Sequence, residues 1–409
     1  MGERDPTPEE MIAMTGCDKA ANVDRCLIES CDTALESDDS NAMLNLAHAF
    51  YCLRAVLMRL WDNPAPEVQQ YVGGALLRRA QILANTGRIR EAVWDYEEIE
   101  KRYGRNDDPE LRKVIAGAYY EAGKLCCRQE DEQGALLWFE KVVRRFLDDD
   151  EPVIAYHVAS ALSEQANIYA DRKDFDTVRA MQEQIIQRWS DHKNEEVLRL
   201  VAHTRFLQAY LLTTDPDTKP ESLGQLDSAI EYADLKLGRF ISSIQGAALA
   251  RKCEILFDLD RYDEGIATAS VYETRHRAAC EASPPPGPAD ADYFRRNLHT
   301  VRLTKAQCLF MLKRYDEADD ALAGIDVDYA DLQQASAAQR EFVVSVLSVR
   351  GIMRCVKGHP DDGLEIARRI MDGLGPDYEA TMTPAIQDTV DTLVAHIDVA
   401  KGRQQQSPG

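Results

Sequence analysis

A spacing of 43 residues organises the first half of this chain of 409 residues. Five series of arginine, proline, apolar and small residues keep this spacing: Arg59, Arg102, Arg145 and Arg188; Pro66, Pro109 and Pro152; Val68, Leu111, Ile154 and Val197; Gly73, Ala116, Ala159 and Ala202; Ala80, Gly123, Ala166 and Ala209. A fixed period of this size is typical of stacked repeats. One repeat cannot bury its own apolar face, so each relies on its neighbours. The chain is therefore predicted to be a solenoid.

The stretch from Pro66 to Gly104 has the pattern of two helices joined by a tight turn. Pro66 suits the first turn of a helix, because that position needs no backbone donor. Apolar and small residues then recur at helical spacing as far as Asn85. Gly87 can adopt the left-handed conformation that ends a helix, and a second helical pattern follows. The next hairpin starts at Pro109, so the sequence predicts an all-α fold.

Pairs of residues, most of them small, recur twelve positions apart, with one member in each helix of a hairpin. The pairs are Ala80 with Ala92, Gly123 with Ala135 and Ala166 with Val178, followed in the looser later units by Cys253 with Gly265, Ala306 with Ala318 and Gly351 with Gly363. A large residue late in the first helix (Leu83, Cys126, Tyr169) and an aromatic residue in the second (Tyr96, Phe139) accompany them, although Gln182 departs from this pattern.

These residues resemble the tetratricopeptide repeat (TPR). The usual TPR period is about 34 residues, so the period of 43 resembles a long-period bacterial variety. The resemblance implies an α-solenoid built as a right-handed superhelix of helical hairpins. The expected organisation is a disordered N-terminus (1–18), a helical cap (19–65), regular repeats (66–215), irregular repeats with a Pro-rich loop at 281–290 (216–375), a C-terminal capping helix (376–401) and a disordered tail (402–409).

The charge balance restricts the class of partner. The chain has 48 Lys plus Arg and 70 Asp plus Glu, a formal net charge of −22. A field of this sign repels phosphate backbones and anionic membranes, so the expected partner is a basic or neutral polypeptide. The alternative is that the acidity only keeps an open surface soluble. No apolar leader or spanning run occurs, and ten cysteines without an export signal indicate a reducing cytoplasm.

The sequence offers no set of residues for catalysis. Cys126 and Cys127 are adjacent and Cys26 is five residues from Cys31, so neither pair has the spacing of a zinc knuckle. The eight histidines are scattered, and no phosphate-binding or dinucleotide motif occurs. The chain is therefore predicted to be no enzyme and to need no cofactor or metal.

The TPR resemblance places a partner on the concave face, which is lined by the first helix of each hairpin. The positions it selects are Leu77, Gln81, Asn85, Tyr120, Lys124, Arg128, Ser163, Asn167, Asp171, His203, Phe206, Tyr210, Glu254, Phe257, Gln307 and Phe310. Aromatic residues beside polar groups suit an extended peptide or a helix laid in a groove. Alternatively, these aromatics contact the next helix. Lys124 and Arg128 could hold an acidic group or pair with Glu121 or Asp171.

The expected function is a scaffold or adaptor that binds a protein or peptide in this groove, as part of a bacterial multiprotein complex. Two other functions stay open. One is a peptide-sensing regulatory receptor. The other is a regulatory subunit that partners a caspase-like protease or a signalling ATPase. The chaperone-binding clamp known in some TPR domains is disfavoured, because Ser163 stands where a lysine is expected.

Overall fold

The computed structural model describes residues 42–213, 217–238, 243–281, 288–323, 325, 332, 335–375 and 382–406. Within these ranges the regular structure is entirely α-helical. The sixteen helices of the described part are α1 (Ala42–Leu60), α2 (Pro66–Asn85), α3 (Ile89–Tyr103), α4 (Pro109–Arg128), α5 (Glu132–Phe146), α6 (Pro152–Asp171), α7 (Phe175–Trp189), α8 (Glu195–Leu211), α9 (Lys219–Lys236), α10 (Ser243–Asp258), α11 (Tyr262–Glu281), α12 (Pro288–Met311), α13 (Tyr315–Ala323), α14 (Ala337–Val356), α15 (Pro360–Leu374) and α16 (Pro384–Gln406).

The first compact unit, residues 1–204, stacks its hairpins in two layers. Helices α2, α4 and α6 contact one another in order and form the A layer. Helices α1, α3, α5 and α7 form the B layer, in which α3 and α5 each contact the A-layer helix before and the one after. Because every helix contacts its neighbours along the chain, the apolar face of one hairpin is covered by the next. This is the organisation of an α-solenoid, as predicted.

A proline opens each A-layer helix. Helices α2, α4 and α6 begin at Pro66, Pro109 and Pro152, where the missing amide hydrogen is not needed. Asp108 accepts hydrogen bonds from the first free amides of α4, and Glu151 does the same for α6. These carboxylates satisfy amides that have no partner inside the helix. The A-layer helices therefore start at the same point of each repeat.

A left-handed residue ends the first helix of six hairpins, in both compact units. These residues have φ between 57° and 89°, and they are Gly87, Glu130, Lys173, Asp260, Lys313 and Gly358. The amide after each one donates to the carbonyl five residues earlier, for example from Arg88 to Leu83 at 2.8 Å. This is the helix-ending motif that glycine adopts most easily. Four of the six turns nevertheless use a residue with a side chain, so backbone bonding outweighs the strain there.

Small residues let the helices of a hairpin approach closely. Ala80 and Ala92 are both fully buried. At Gly123 an added Cβ would lie 2.4 Å from a ring carbon of Phe139, so only glycine fits against that ring. In the second unit, a Cβ on Gly363 would meet the sulfur of Cys355 at 2.4 Å. The small positions identified in the sequence are thus points of close packing.

Three of the four regularly spaced arginines link consecutive junctions of the first unit. Their guanidinium groups donate to main-chain carbonyls about one repeat earlier: Arg102 to Trp61 (3.2 Å), Arg145 to Asn106 (2.7 Å) and Arg188 to Leu147 (3.4 Å). Each arginine lies near the end of a B-layer helix and reaches the end of the preceding one. We call these contacts the arginine clamps. They explain why the arginine series keeps the repeat spacing.

The second compact unit, residues 205–409, contains α9 to α16 and part of α8. Each helix from α9 contacts the next one along the chain, and α10, α12, α14 and α16 also contact one another in order, but the helix lengths vary from 9 residues in α13 to 24 in α12. Apolar clusters fill the space between them, one around Leu256 and Tyr272 and another around Leu347 and Leu393. The second unit is therefore a less regular stack of the same kind.

Two predicted boundaries differ from the structure. Helix α12 begins at Pro288, inside the Pro-rich loop expected at 281–290, because a proline is favourable in the first turn of a helix. Helix α16 runs to Gln406, beyond the tail boundary expected at 402, because no proline follows Lys401 until Pro408. The N-terminus 1–18 and residues 19–41 of the predicted cap lie outside the described residues, as do 282–287 and 407–409.

Candidate functional site

The three candidate residues of α2 lie on the A layer of the first unit. Leu77 and Gln81 are half-buried and Asn85 is exposed at the end of the helix. Leu77 contacts α4, since a Cβ on Gly117 would lie 3.2 Å from its side chain. The side-chain oxygen of Asn85 accepts a long hydrogen bond of 3.4 Å from Arg128 of α4. Leu77 therefore supports the wall, while Gln81 and Asn85 present side-chain amides.

The structure corrects the predicted placement of Tyr120 on the surface of the groove. It is only 7 % exposed, and its ring lies 5.4 Å from His157 of α6 and 6.0 Å from Phe139 of α5. Burial raises the pKa of its hydroxyl. The side chain of Tyr120 is buried and not exposed, because α6 packs over α4 at this position. Tyr120 is therefore part of the core and not a docking anchor.

His157, which the sequence analysis did not single out, lies next to Tyr120. Its Nδ1 atom is buried and has no hydrogen-bond partner. Burial lowers the pKa of its imidazole to about 4, and the nearby Lys124 adds to this effect. The ring is thus neutral near pH 7. Nothing in the spacing of the histidines could have revealed this, because the effect arises from contact between consecutive A-layer helices.

The remaining candidates of α4 and α6 form a polar surface. Lys124 pairs with Glu121 at 3.6 Å and lies 5.2 Å from the centre of the Tyr120 ring. The amide of Asn167 donates to Glu164 at 3.4 Å. Ser163 is half-buried, whereas Arg128 and Asp171 are exposed at the ends of their helices. Of the pairings left open by the sequence, the one between Lys124 and Glu121 is formed, whereas Arg128 donates to Asn85 instead.

Helix α8 contains three candidates with different environments. His203, in the first unit, is exposed. Phe206, in the second, packs against the apolar cluster around Leu256 and is half-buried. Tyr210 is 44 % exposed, with its ring 6.1 Å from that of Phe206. Tyr210 therefore presents an aromatic surface to solvent, while Phe206 supports it from below.

Arg251, which the sequence analysis missed, organises the surface around Tyr210. Its guanidinium carbon lies 5.3 Å from the centre of the Tyr210 ring. The same group donates to Glu254 at 2.7 Å and to the hydroxyl of Thr213 at 2.9 Å. Glu254, a predicted site residue, is thereby held half-buried beside an exposed aromatic ring. An arginine one turn before a candidate glutamate was the available sequence signal.

The last three candidates lie on α10 and α12. Phe257 and Phe310 are half-buried, with their rings 5.8 Å from Tyr262 and 5.5 Å from Tyr315, the first residues of the following helices. Gln307 is also half-buried. The contacts of the two phenylalanines therefore agree better with packing against a neighbouring helix than with binding a ligand.

The chemistry available on these surfaces is hydrogen bonding and aromatic contact. Among the residues that the structure describes, no three His, Cys, Asp or Glu side chains are grouped so that they could hold a metal ion. None of the helices in the described ranges is long and apolar enough to cross a membrane. The cysteines described in the structure are all free thiols.

Comparisons with known proteins find similarity at the level of structure. No protein-family model matches the sequence. No curated protein matches it either. The chain is similar to the crystal structure of an engineered protein, with 15 % identity, a TM-score of 0.41 and coverage of 95 % of this chain and 98 % of that one. It is also similar to the TPR domain of P58(IPK), with 14 % identity, a TM-score of 0.24 and coverage of 95 % and 100 %.

Proposed function

We propose that this protein is a non-enzymatic scaffold that binds a partner protein or peptide along the A-layer face, as part of a bacterial multiprotein complex. One observation carries the proposal. Successive A-layer helices present hydrogen-bonding side chains at the same repeat position, namely Gln81, Lys124 and Asn167. An extended peptide needs such a row, because its main-chain groups must exchange water for side-chain partners.

The charges on this face agree with a basic or neutral partner. Glu121 and Glu164 occupy equivalent positions on α4 and α6, and the exposed Asp171 lies at the end of α6. The net charge of −22 adds a long-range attraction for cations. In the second unit, Tyr210 provides a large aromatic surface of the kind that dominates binding energy at interfaces.

Site-specific crosslinking tests the position of the groove. A photoreactive amino acid replaces Gln81 on the A layer or, as the matched control, Leu137, which is 62 % exposed on the B-layer helix α5. Both proteins are irradiated in an extract of the organism whose genome encodes this protein. Crosslinked products are then identified by mass spectrometry. We expect a specific partner from position 81 and not from 137. Equal products at both positions would contradict the proposal.

The Tyr210→Ala variant tests the second unit separately. Tyr210 contributes an exposed ring, so its loss leaves the apolar cluster beneath it intact. We expect recovery of the crosslinked partner to fall about tenfold, the effect of removing one interface anchor. The fold is checked by circular dichroism. Unchanged recovery would remove Tyr210 from the proposed surface.

The identity of the recovered partner separates the scaffold from the two alternatives. A short peptide alone would favour the peptide-sensing receptor. A caspase-like protease or a signalling ATPase would favour the regulatory subunit. A basic or neutral protein of another class, crosslinked from position 81, supports the scaffold.

A further inference from the structure

A cavity of about 550 Å³ opens on the B-layer side of the first unit, between α1 and α3 and above α2. It is lined by Phe50, Arg54, Arg79, Leu83, Arg88, Arg90, Glu91, Trp94 and Asp95. This volume falls in the range of sites that hold small ligands or short peptide segments. We call it the arginine pocket. None of the predicted groove residues lines it, although Arg79 and Leu83 come from the A-layer helix α2.

The charge of the arginine pocket is opposite to that of the whole chain. Four arginines and two carboxylates line it, whereas the chain has 48 basic and 70 acidic residues. Arg79 is committed to Asp95, with contacts of 2.5 and 2.9 Å. Arg90 is exposed and has no ion-pair partner among the described residues. The pocket therefore has unused positive charge at its surface.

The contacts of Glu91 show that side chains of the pocket can bind a carboxylate. Arg88 donates two hydrogen bonds to it, at 2.7 and 2.6 Å, in the paired geometry that suits a guanidinium group. This contact is the main cause of the lowered pKa of Glu91, and the charges of Arg79 and Arg54 lower it further. The field in the pocket thus stabilises negative charge.

Trp94 gives the pocket an apolar wall that is already held in place. Its side chain is 49 % exposed, and its ring is stacked on Trp61 with 6.2 Å between centroids. The guanidinium group of Arg102 lies 3.5 Å from the centre of the Trp61 ring. Because the stack fixes the orientation of Trp94, a ligand that contacts it loses less entropy on binding.

The pocket is not a general property of the repeat. At the positions 43 residues later, Arg54 and Arg90 are replaced by Glu97 and Gln133, and Trp94 is replaced by Leu137. The helices around the pocket therefore have a set of side chains that the equivalent positions of the next repeat lack. Packing needs common to all hairpins do not explain this set.

We propose that the arginine pocket binds an acidic segment of a partner protein, with a carboxylate on Arg90 and the neighbouring apolar side chain on Trp94. Guanidinium groups and the accessible apolar side chains of Phe50 and Trp94 line the same pocket, which matches a segment in which acidic and apolar residues are adjacent. A polyphosphate fits less well, because Glu91 and Asp95 would repel its several charges. The proposal gives the protein a second docking site, with the opposite charge preference to the A-layer face.

Fluorescence anisotropy on the full chain tests this proposal. The probe is a fluorescein-labelled peptide with two glutamates on each side of a central phenylalanine, in a Gly/Ser background. The test variant is Arg90→Glu, which reverses a charge without breaking an internal ion pair. The matched control is Arg105→Glu, an exposed arginine outside the pocket that gives the same change in net charge. Trp94→Ala removes the apolar wall.

We expect binding to the wild type and to Arg105→Glu, and a weakening of about tenfold or more in Arg90→Glu and in Trp94→Ala. Replacing the peptide's glutamates by glutamine should also abolish binding. The proposal is overturned if the wild type does not bind the peptide, or if Arg90→Glu binds like Arg105→Glu. Displacement by AMP would instead indicate a nucleotide site. An Arg90-dependent dimer in native mass spectra would indicate a second copy as the occupant.

Discussion

The hairpins α2/α3 and α4/α5 share helix lengths of 20 and 15 residues but differ in their interiors. The first pairs Arg79 with a fully buried Asp95. At the positions 43 residues later the second has Ala122 and Trp138, whose ring lies 5.6 Å from that of Tyr119. The same backbone therefore accepts either a charged pair or an aromatic side chain.

The difference suggests that the charged pair serves the pocket more than the stability of the fold. Burial raises the pKa of Asp95, and the hydrogen bonds from Arg79 oppose that rise. A buried pair of this kind gains little over well-packed apolar residues, because desolvation offsets the attraction. The first hairpin keeps the pair nonetheless, and both of its members line the arginine pocket.

The Asp95→Ala variant has the largest expected effect. It leaves the guanidinium group of Arg79 mostly buried without a partner, which should lower the free energy of unfolding by about 3 kcal/mol. Urea unfolding of the full chain measures this loss, and hydrogen exchange should locate it in α2 and α3.

The double variant Arg79→Ala with Asp95→Trp transplants the interior of the second hairpin into the first. It should return to within about 1 kcal/mol of the wild type, because neither side chain then leaves a buried charge. If the double variant is as unstable as Asp95→Ala, the comparison between the two hairpins does not hold.

The Gly123→Ala variant tests a second difference between the two hairpins, namely that the second has glycine where the first has Ala80. Its expected effect is smaller. An added Cβ would lie 2.4 to 2.9 Å from the Phe139 ring, so we expect a net destabilisation of about 2 kcal/mol even though alanine favours helices. The matched change in the first hairpin is Ala80→Gly, which should lower stability by about 1 kcal/mol through helix propensity. Thermal unfolding of both variants checks the pair. A stabilised Gly123→Ala protein would show that Phe139 can move away.

The smallest effect concerns pH. Val114 of α4 contacts α2, whereas the residue 43 positions later, His157 of α6, contacts α4. The pKa of His157 is lowered to about 4, so the unfolded chain binds more protons between pH 6.5 and pH 4. Stability should therefore fall as the pH drops through this window, by about 0.7 kcal/mol at pH 6 relative to pH 7.

His157→Val gives the control for this effect, since it places the residue of α4 on α6. We expect the variant to lose less stability than the wild type when urea unfolding at pH 7 and pH 6 is compared. The carboxylates titrate alike in both proteins, so the difference isolates the histidine. Identical losses in the two proteins would show that His157 is not responsible.

The regular part of the fold was predictable from the sequence, because it depends on local signals. Pro66, Pro109 and Pro152 mark helix starts, and small residues such as Gly123 mark close contacts, so all-α hairpins followed directly. The spacing of the arginines could also be read, although their carbonyl partners could not. Those partners lie in irregular junctions, where the sequence contains no pattern.

The candidate site was less predictable, because exposure depends on how neighbouring helices pack. Tyr120 occupies the same repeat position as Leu77 and Ser163, yet α6 and α5 bury it. Arg251 was missed because its contacts with Tyr210 and Thr213 join different helices. The arginine pocket did leave a signal. Arg79 and Asp95 interrupt positions that are apolar one repeat later, and a charge at such a position indicates a special site.

The arginine clamps have a consequence for how such a chain could change in length. Each clamp reaches back only to the junction before it, as Arg145 does to Asn106. If one whole repeat were duplicated or deleted, every remaining guanidinium group would again find a main-chain carbonyl 39 to 41 residues earlier. The array could therefore grow or shrink in evolution by a unit at a time, while insertions of other sizes would leave an arginine without its acceptor.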